Sequence, residues 1–286
     1  YYRNYLSDIE RKRTVTMERT FDAGTHCHTF VLEPHGYYKQ FFRDILPIDY
    51  PEALTTATQL EERLVELGLP KSGNKDAKIE RLIAADPNSQ IYEVIRKKYY
   101  ESFGEKGSIE YEGKVLDTYG GKIPVDGSVW DDAHRAAKTT RVHKEADAYF
   151  QQGLPEVSII AKCPVTGMML KVKYDWLRFD NTAVDMKTTL STRPEKFLRQ
   201  LNDLHYDVQQ EFYKYVALLQ GINVTKFTFV ATEYVGMDAC QPFRINTKMA
   251  LKAKNKVMNG LFELQRCMKE DRWYGYEPED CTIIFE

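Results

Sequence analysis

The chain has 286 residues, 43% of them hydrophobic and 13% aromatic, with a formal net charge of −2. That size and apolar content suit one large domain, or a domain with a small appendage, and exclude global disorder. A sequence pI near 6.4 excludes a chain-wide attraction to polyanions, so any nucleic-acid contact must come from local basic patches.

Five cysteines (Cys27, Cys163, Cys240, Cys267 and Cys281) are scattered without a CxxC pair. This argues against a zinc ribbon and for buried free thiols in a reducing compartment. No run of 18 apolar residues occurs, and no basic segment followed by an apolar one opens the chain. A soluble, cytoplasmic protein of a bacterial or phage-infected cell, without a membrane partner, is the expectation. The chain starts at Tyr1 rather than Met, which leaves open that it is a fragment of a longer one.

In chain order, residues 1–20 are polar, charged and helical in character, with Tyr1, Tyr2, Tyr5, Leu6 and Ile9 as apolar contacts. In "FDAGTHCHTFVLEP", residues 21–34, Gly24 marks a turn, Thr25 caps, and a short helix runs to Pro34. Residues 54–86 form a separate unit. Leu60, Leu64 and Leu67 recur at helical spacing, Gly68 ends that helix, "PKSGN" turns, and Ile79, Leu82 and Ile83 mark a second helix. Residues 89–103 are helical, 104–130 read as loop and short strands, and 131–152 are helical again.

The period then changes. "EVSIIAKC" (156–163) and "MMLKVKYDWLRF" (168–179) read as strands joined at the turn "PVTG", and "NTAVDMKTT" as a third strand. Residues 195–220 read as one long helix ended by Gly221, 224–234 as a fourth strand, and 247–270 as a closing helix. The expected organisation is an N-terminal helical part (1–53), a helix–turn–helix insertion (54–86) and a mixed α/β core (87–286).

Alternate residues of a strand share a face, so Asp185 and Lys187 in "VDMKTT" lie on one side, about 6 to 7 Å apart along the backbone. Asp175 ends the preceding strand. Pairing of the two strands around "LRFDNTA" would bring both carboxylates together, and two close carboxylates call for a cation between them. Oxygen ligands suit Mg²⁺, and the lysine could act on a water or on charge developing at phosphorus. Taken alone, D-x-K also fits an exposed ion pair on a strand edge.

The longer string resembles the PD-(D/E)XK nuclease motif: "YD" at 174–175, then "DMK" at 185–187. "DVQQEFYKY" resembles the QxxxY helix of the exonuclease branch, with Gln209 and Tyr213, and "GTHCH" resembles its G-T-x-x-H helix, with His28. Glu156 matches the acidic residue that opens the first strand. Together, over residues 21–34 and 156–235, these motifs are similar to the RecE (exonuclease VIII) family of phage recombination exonucleases. The resemblance implies a restriction-endonuclease-like mixed sheet flanked by helices. It implies His28, Asp175 and Asp185 as ligands of Mg²⁺ (or Mn²⁺), with the Met186 carbonyl as a third oxygen. Lys187, Glu156, Gln209 and Tyr213 would be catalytic or positioning groups. It further implies double-stranded DNA as substrate, digestion from 5′ ends leaving 3′ tails, a RecT-type annealing partner and a ring-like tetramer. Where relatives commonly carry Arg-Pro before the first Asp, this chain has Lys173-Tyr174.

"LEERLVELGLPKSGNKDAKIERL" resembles a SAP motif, with Lys71, Lys75, Lys78 and Arg81 as candidate phosphate contacts or as solvated charges. A second basic run, "KMALKAKNK" (248–256), reads as a solvated helix face or as a DNA contact. Two alternatives stay open: another nuclease of the superfamily, an endonuclease or a Cas4-like enzyme, and a DNA-binding protein of the same fold without catalysis.

Overall fold

The computed structural model describes residues 15–111, 113–234 and 238–273, with backbone alone for 15–22. Tyr1, Tyr2, Tyr5, Leu6 and Ile9, named above for the first helix, lie outside the described residues, as does Cys281. In chain order the elements are α1 (Val15–Leu32), α2 (Pro34–Gln40), β1 (Phe41–Arg43), α3 (Ala57–Glu66), α4 (Lys75–Ala85), α5 (Tyr92–Glu101), β2 (Lys106–Tyr111), β3 (Lys114–Tyr119) and β4 (Ile123–Val125). There follow α6 (Gly127–Val142), α7 (Lys144–Tyr149), β5 (Gly153–Lys162), β6 (Met169–Arg178), β7 (Thr182–Thr189), α8 (Pro194–Asp203), α9 (Tyr206–Leu219), β8 (Lys226–Glu233), β9 (Cys240–Phe243) and α10 (Thr247–Glu270). The chain divides into two units, 33–131 and the remainder.

The larger unit is built on a five-stranded sheet in the order β5-β6-β7-β8-β9. β7 and β8 pair in parallel and the other neighbours antiparallel. A parallel pair needs a crossover, which α8 and α9 supply. Both faces of the sheet are covered. Ala183, Phe227 and Phe229 face a core completed by Phe197, Leu201, Val216, Ala217, Val257 and Leu261 from α8, α9 and α10. Val184, Met186 and Val230 face Cys27 and Val31 of α1 and Ala133, Ala136 and Ala137 of α6. Cover on both sides leaves β7 and β8 buried along nearly their whole length, polar residues included. Mixed sheet and flanking helices match the expected PD-(D/E)XK fold.

Two local expectations are corrected, and two short strands are new. Gly24 and Thr25 do not turn and cap the chain; α1 runs through both without interruption. A Cβ at Gly24 would lie 2.9 Å from Thr188 Oγ1, so glycine is there to let α1 approach β7. Residues 195–220 are two helices, broken where His205 adopts a left-handed φ of 54°. The short strands β1 and β9 fall in stretches whose alternation is too brief to read.

In the unit 33–131, Thr56 and Asn74 cap α3 and α4 by accepting from the backbone amides of Gln59 and Ala77. Leu60, Leu64 and Leu82 are fully buried, each worth about 2 kcal/mol. Ile91 and Leu54 from the flanking chain complete that small core, so the helix pair leans on its neighbours. β2 and β3 form a hairpin. Phe42 stacks on Phe103 at 3.9 Å between centroids, with Tyr99 and Tyr100 around it.

Candidate active site

The site forms where two neighbouring strands part. β6 and β7 are paired only at Trp176–Val184 and Leu177–Ala183. The next antiparallel step would set Asp175 opposite Asp185, and there the ladder stops. The Met186 amide, left without a strand partner on that side, donates to Asp175 Oδ2 at 2.7 Å. The Met186 carbonyl points the same way and accepts from His28 Nε2 at 2.6 Å, across 158 residues of sequence. His28 Nδ1 faces Asp175 Oδ2 at 3.6 Å. The fork thus gathers one carboxylate, one carbonyl and one imidazole from three elements.

Asp185 supplies the second carboxylate from the face of β7 toward α9. It is 3% exposed. Gln209 Nε2 donates to its Oδ1 at 2.5 Å, and Lys187 Nζ stands 2.8 Å from Oδ2. The lysine meets the charge of Oδ2 as a buried ion pair. Burial pushes the Asp185 acid up to about 6; Asp175 adds to this, while Lys187 and His28 oppose it. For Lys187 burial works against the charge, but the Asp185 and Asp175 carboxylates outweigh it and the amine is held more firmly protonated. A protonated amine suits neutralisation of charge rather than proton abstraction.

Tyr206, which the sequence did not single out, and Tyr174, noted there only as a departure from the motif, shape this centre. The Tyr206 ring lies 4.6 Å from Lys187 Nζ, a cation–π contact, and its hydroxyl accepts from Gln200 Nε2 at 3.0 Å. Tyr174, the residue that departs from the usual motif, is 1% exposed and donates through its hydroxyl to the Tyr213 carbonyl at 2.7 Å. Its ring meets the Tyr213 ring edge-on at 5.2 Å. Tyr174 therefore ties β6 to the helix that carries Gln209 and Tyr213. A large aromatic at a buried strand position was the available signal for it.

Asp175, Asp185, Lys187, His28 and Gln209 are brought together, and Tyr213 lies on the same helix as Gln209, its carbonyl accepting from Tyr174. Glu156 stands apart in its bonding. Its neighbours Pro155 and Val157 pair with Trp176 and Tyr174, so it opposes Asp175 on the adjacent strand. Its carboxylate is ion-paired with Lys173, and its φ of 56° is left-handed, a strained state for a residue with a Cβ. His26 lies beside His134, and burial pushes its imidazole down to about 4.

The donor set suits a hard divalent cation: two carboxylates, a carbonyl and an imidazole. Among the described residues no three His, Cys, Asp or Glu side chains are gathered tightly enough to hold an ion by themselves.

The candidate phosphate contacts of the helix pair are mostly engaged within their own unit. Lys75 pairs with Glu93, and Lys78 with Glu61 at 2.5 Å. Arg81 donates to the Pro70 and Ser72 carbonyls, pinning the turn between α3 and α4. Lys71 is exposed.

No helix among the described residues is long and apolar enough to cross a membrane. Similar solved structures include a "Putative exonuclease" from Eubacterium rectale, at 13% identity and a TM-score of 0.40, covering 81% of this chain and 92% of that one. A protein designated SSO0001 aligns at 10% identity and a TM-score of 0.27, over 94% of this chain and 98% of that one. No curated protein sequence gives a significant match. The profile of one family spans residues 4–284, so nearly the whole chain is accounted for: it belongs to the PDDEXK-like domains of unknown function, DUF3799.

Proposed function

We propose that the chain is a metal-dependent exonuclease acting on double-stranded DNA. The observation that supports this reading is the early end of the β6–β7 ladder, where Asp175 accepts from the Met186 amide and Lys187 stands 2.8 Å from Asp185. His28, Asp175, Asp185 and the Met186 carbonyl would hold Mg²⁺ or Mn²⁺, which when bound supplies Lewis-acid activation of water and neutralises charge at phosphorus. Lys187 orients the attacking water by N–H donation and meets the charge that develops on the phosphoryl oxygens. Gln209 fixes the orientation of the Asp185 carboxylate, and Tyr213 hydrogen-bonds the DNA phosphate. Glu156 would orient water only after its carboxylate leaves Lys173.

The finer features rest on the RecE resemblance. They are digestion from 5′ ends, 3′ single-stranded tails as product, hand-over to a RecT-type annealing protein and a ring-like tetramer. In the same reading the SAP-like pair α3–α4 grips duplex through Lys71, Lys75, Lys78 and Arg81. The test is digestion of end-labelled linear duplex beside a covalently closed circle, with Mg²⁺ and with chelator. Shortening of the linear duplex alone, only with metal, is the expected result. A cut circle would make the chain an endonuclease, and DNA binding without digestion would make it a non-catalytic relative.

A further inference from the structure

The lysine of the candidate centre is held by more than its carboxylate. Lys187 Nζ stands 2.8 Å from Asp185 Oδ2 and 4.6 Å from the centroid of the Tyr206 ring. That ring is itself fixed by its neighbours. It stacks on Phe229 at 5.6 Å, packs against Phe197 at 6.1 Å, and its hydroxyl accepts from Gln200 Nε2 at 3.0 Å. Gln200 Oε1 in turn accepts from Thr189 Oγ1 at 2.7 Å. Thr189 lies two residues beyond Lys187 on β7, so both share one face of the strand. The contacts therefore close a circuit. They leave β7 at Thr189, pass through Gln200 of α8 and Tyr206 of α9, and return to β7 at Lys187. The break at His205, with its left-handed φ of 54°, makes Tyr206 the first residue of α9. Such a conformation is costly for a residue with a Cβ and persists where its surroundings demand it.

An ammonium anchored by carboxylates alone is drawn wholly toward them. The face of an aromatic ring attracts the same charge without engaging a particular N–H, and the amine has three N–H groups to place. We propose that Tyr206 is a positioning residue: its ring holds the Lys187 ammonium in the centre and leaves N–H groups for water and phosphoryl oxygens, while Gln200 and Thr189 fix the ring. The inference rests on the nuclease reading for what the amine then does; the hold of the ring on the amine stands apart from it.

The test places at position 206 of the full chain phenylalanine and then its mono-, di- and trifluorinated analogues. Fluorine drains negative charge from the ring face at nearly constant shape, so packing is kept while the attraction weakens. Acylation of Lys187 by an amine-reactive ester is read in chelator by peptide mass spectrometry, against the exposed Lys248 and Lys252. It should rise about twofold in Tyr206→Phe, for the lost Gln200 tether, and then stepwise with fluorine to about tenfold. With Mg²⁺, kcat for linear duplex should fall over the same series by about tenfold with KM little changed. Tyr206→Leu in a Lys187→Met background should lower kcat no further, whereas a merely structural ring would multiply the two losses. Lys187 acylation that stays flat across the fluorine series, or that rises equally at Lys248 and Lys252, would overturn the inference. A stepwise rise in a chain that digests no DNA sinks the nuclease reading alone; digestion with kcat unmoved by fluorine sinks this inference alone.

Discussion

The fork between β6 and β7 and the helix pair α3–α4 both stood out as sequence motifs, yet folding treats their charges differently. At the fork, Asp185 is 3% exposed and its acid is pushed up to about 6 by burial. In the helix pair, Lys75 and Lys78 already face Glu93 and Glu61, and Arg81 is spent on two backbone carbonyls. In the first arrangement two carboxylates, Asp175 and Asp185, share the single neighbouring ammonium of Lys187 in a buried setting, which leaves negative charge for a further cation. The second is largely neutralised in place. A motif fixes which residue types lie near one another, and only their partners decide whether the charge is available.

The sharpest break of this contrast is at Asp185. Asp185→Asn keeps the shape of the side chain and its contact with Gln209 while removing the charge. Digestion of end-labelled duplex should fall by roughly a thousandfold or more, with DNA binding in chelator retained. Residual activity near wild type would mean that the fork is not the catalytic centre. Next comes Lys187→Ala, expected to lower kcat by about a hundredfold while leaving KM little changed, because the amine acts on the reacting groups rather than on DNA at large. A matching rise in KM with kcat intact would recast Lys187 as a binding residue.

Smaller effects test how the fork is held. Gly24→Ala places a methyl group 2.9 Å from Thr188 Oγ1 and should destabilise by about 1 to 2 kcal/mol in urea unfolding, less the helix-propensity gain of alanine. Adding Thr188→Ala should recover most of that loss, and a strictly additive double variant would show that the contact does not set the approach of α1 to β7. The smallest effects belong to the helix pair. Lys71→Ala should reduce the slope of log affinity against log salt by about 0.9 if Lys71 meets one phosphate. Lys75→Ala and Lys78→Ala should each change it less, because each lysine has a carboxylate to leave before it reaches DNA. The reverse ranking would mean that those ion pairs open on binding.

The sequence by itself determined what depends on short-range periodicity and spacing. The alternation in 168–189 and the closing helix at 247–270 are found as read, and the ten-residue step from Asp175 to Asp185 carries an antiparallel return that sets the two acids opposite each other. Only the tertiary structure decided what depends on distant partners. The β6–β7 ladder stops after two registers because the Asp175 side chain and His28 take over the Met186 amide and carbonyl, the latter from 158 residues away. The same holds for Gly24 inside a helix beside Thr188, the break at His205, the Tyr206 ring over Lys187 and the pairing of Glu156 with Lys173. Local pattern fixes which face a side chain occupies; which charges are met and which stay exposed to a ligand follows from packing between elements that no window of sequence contains.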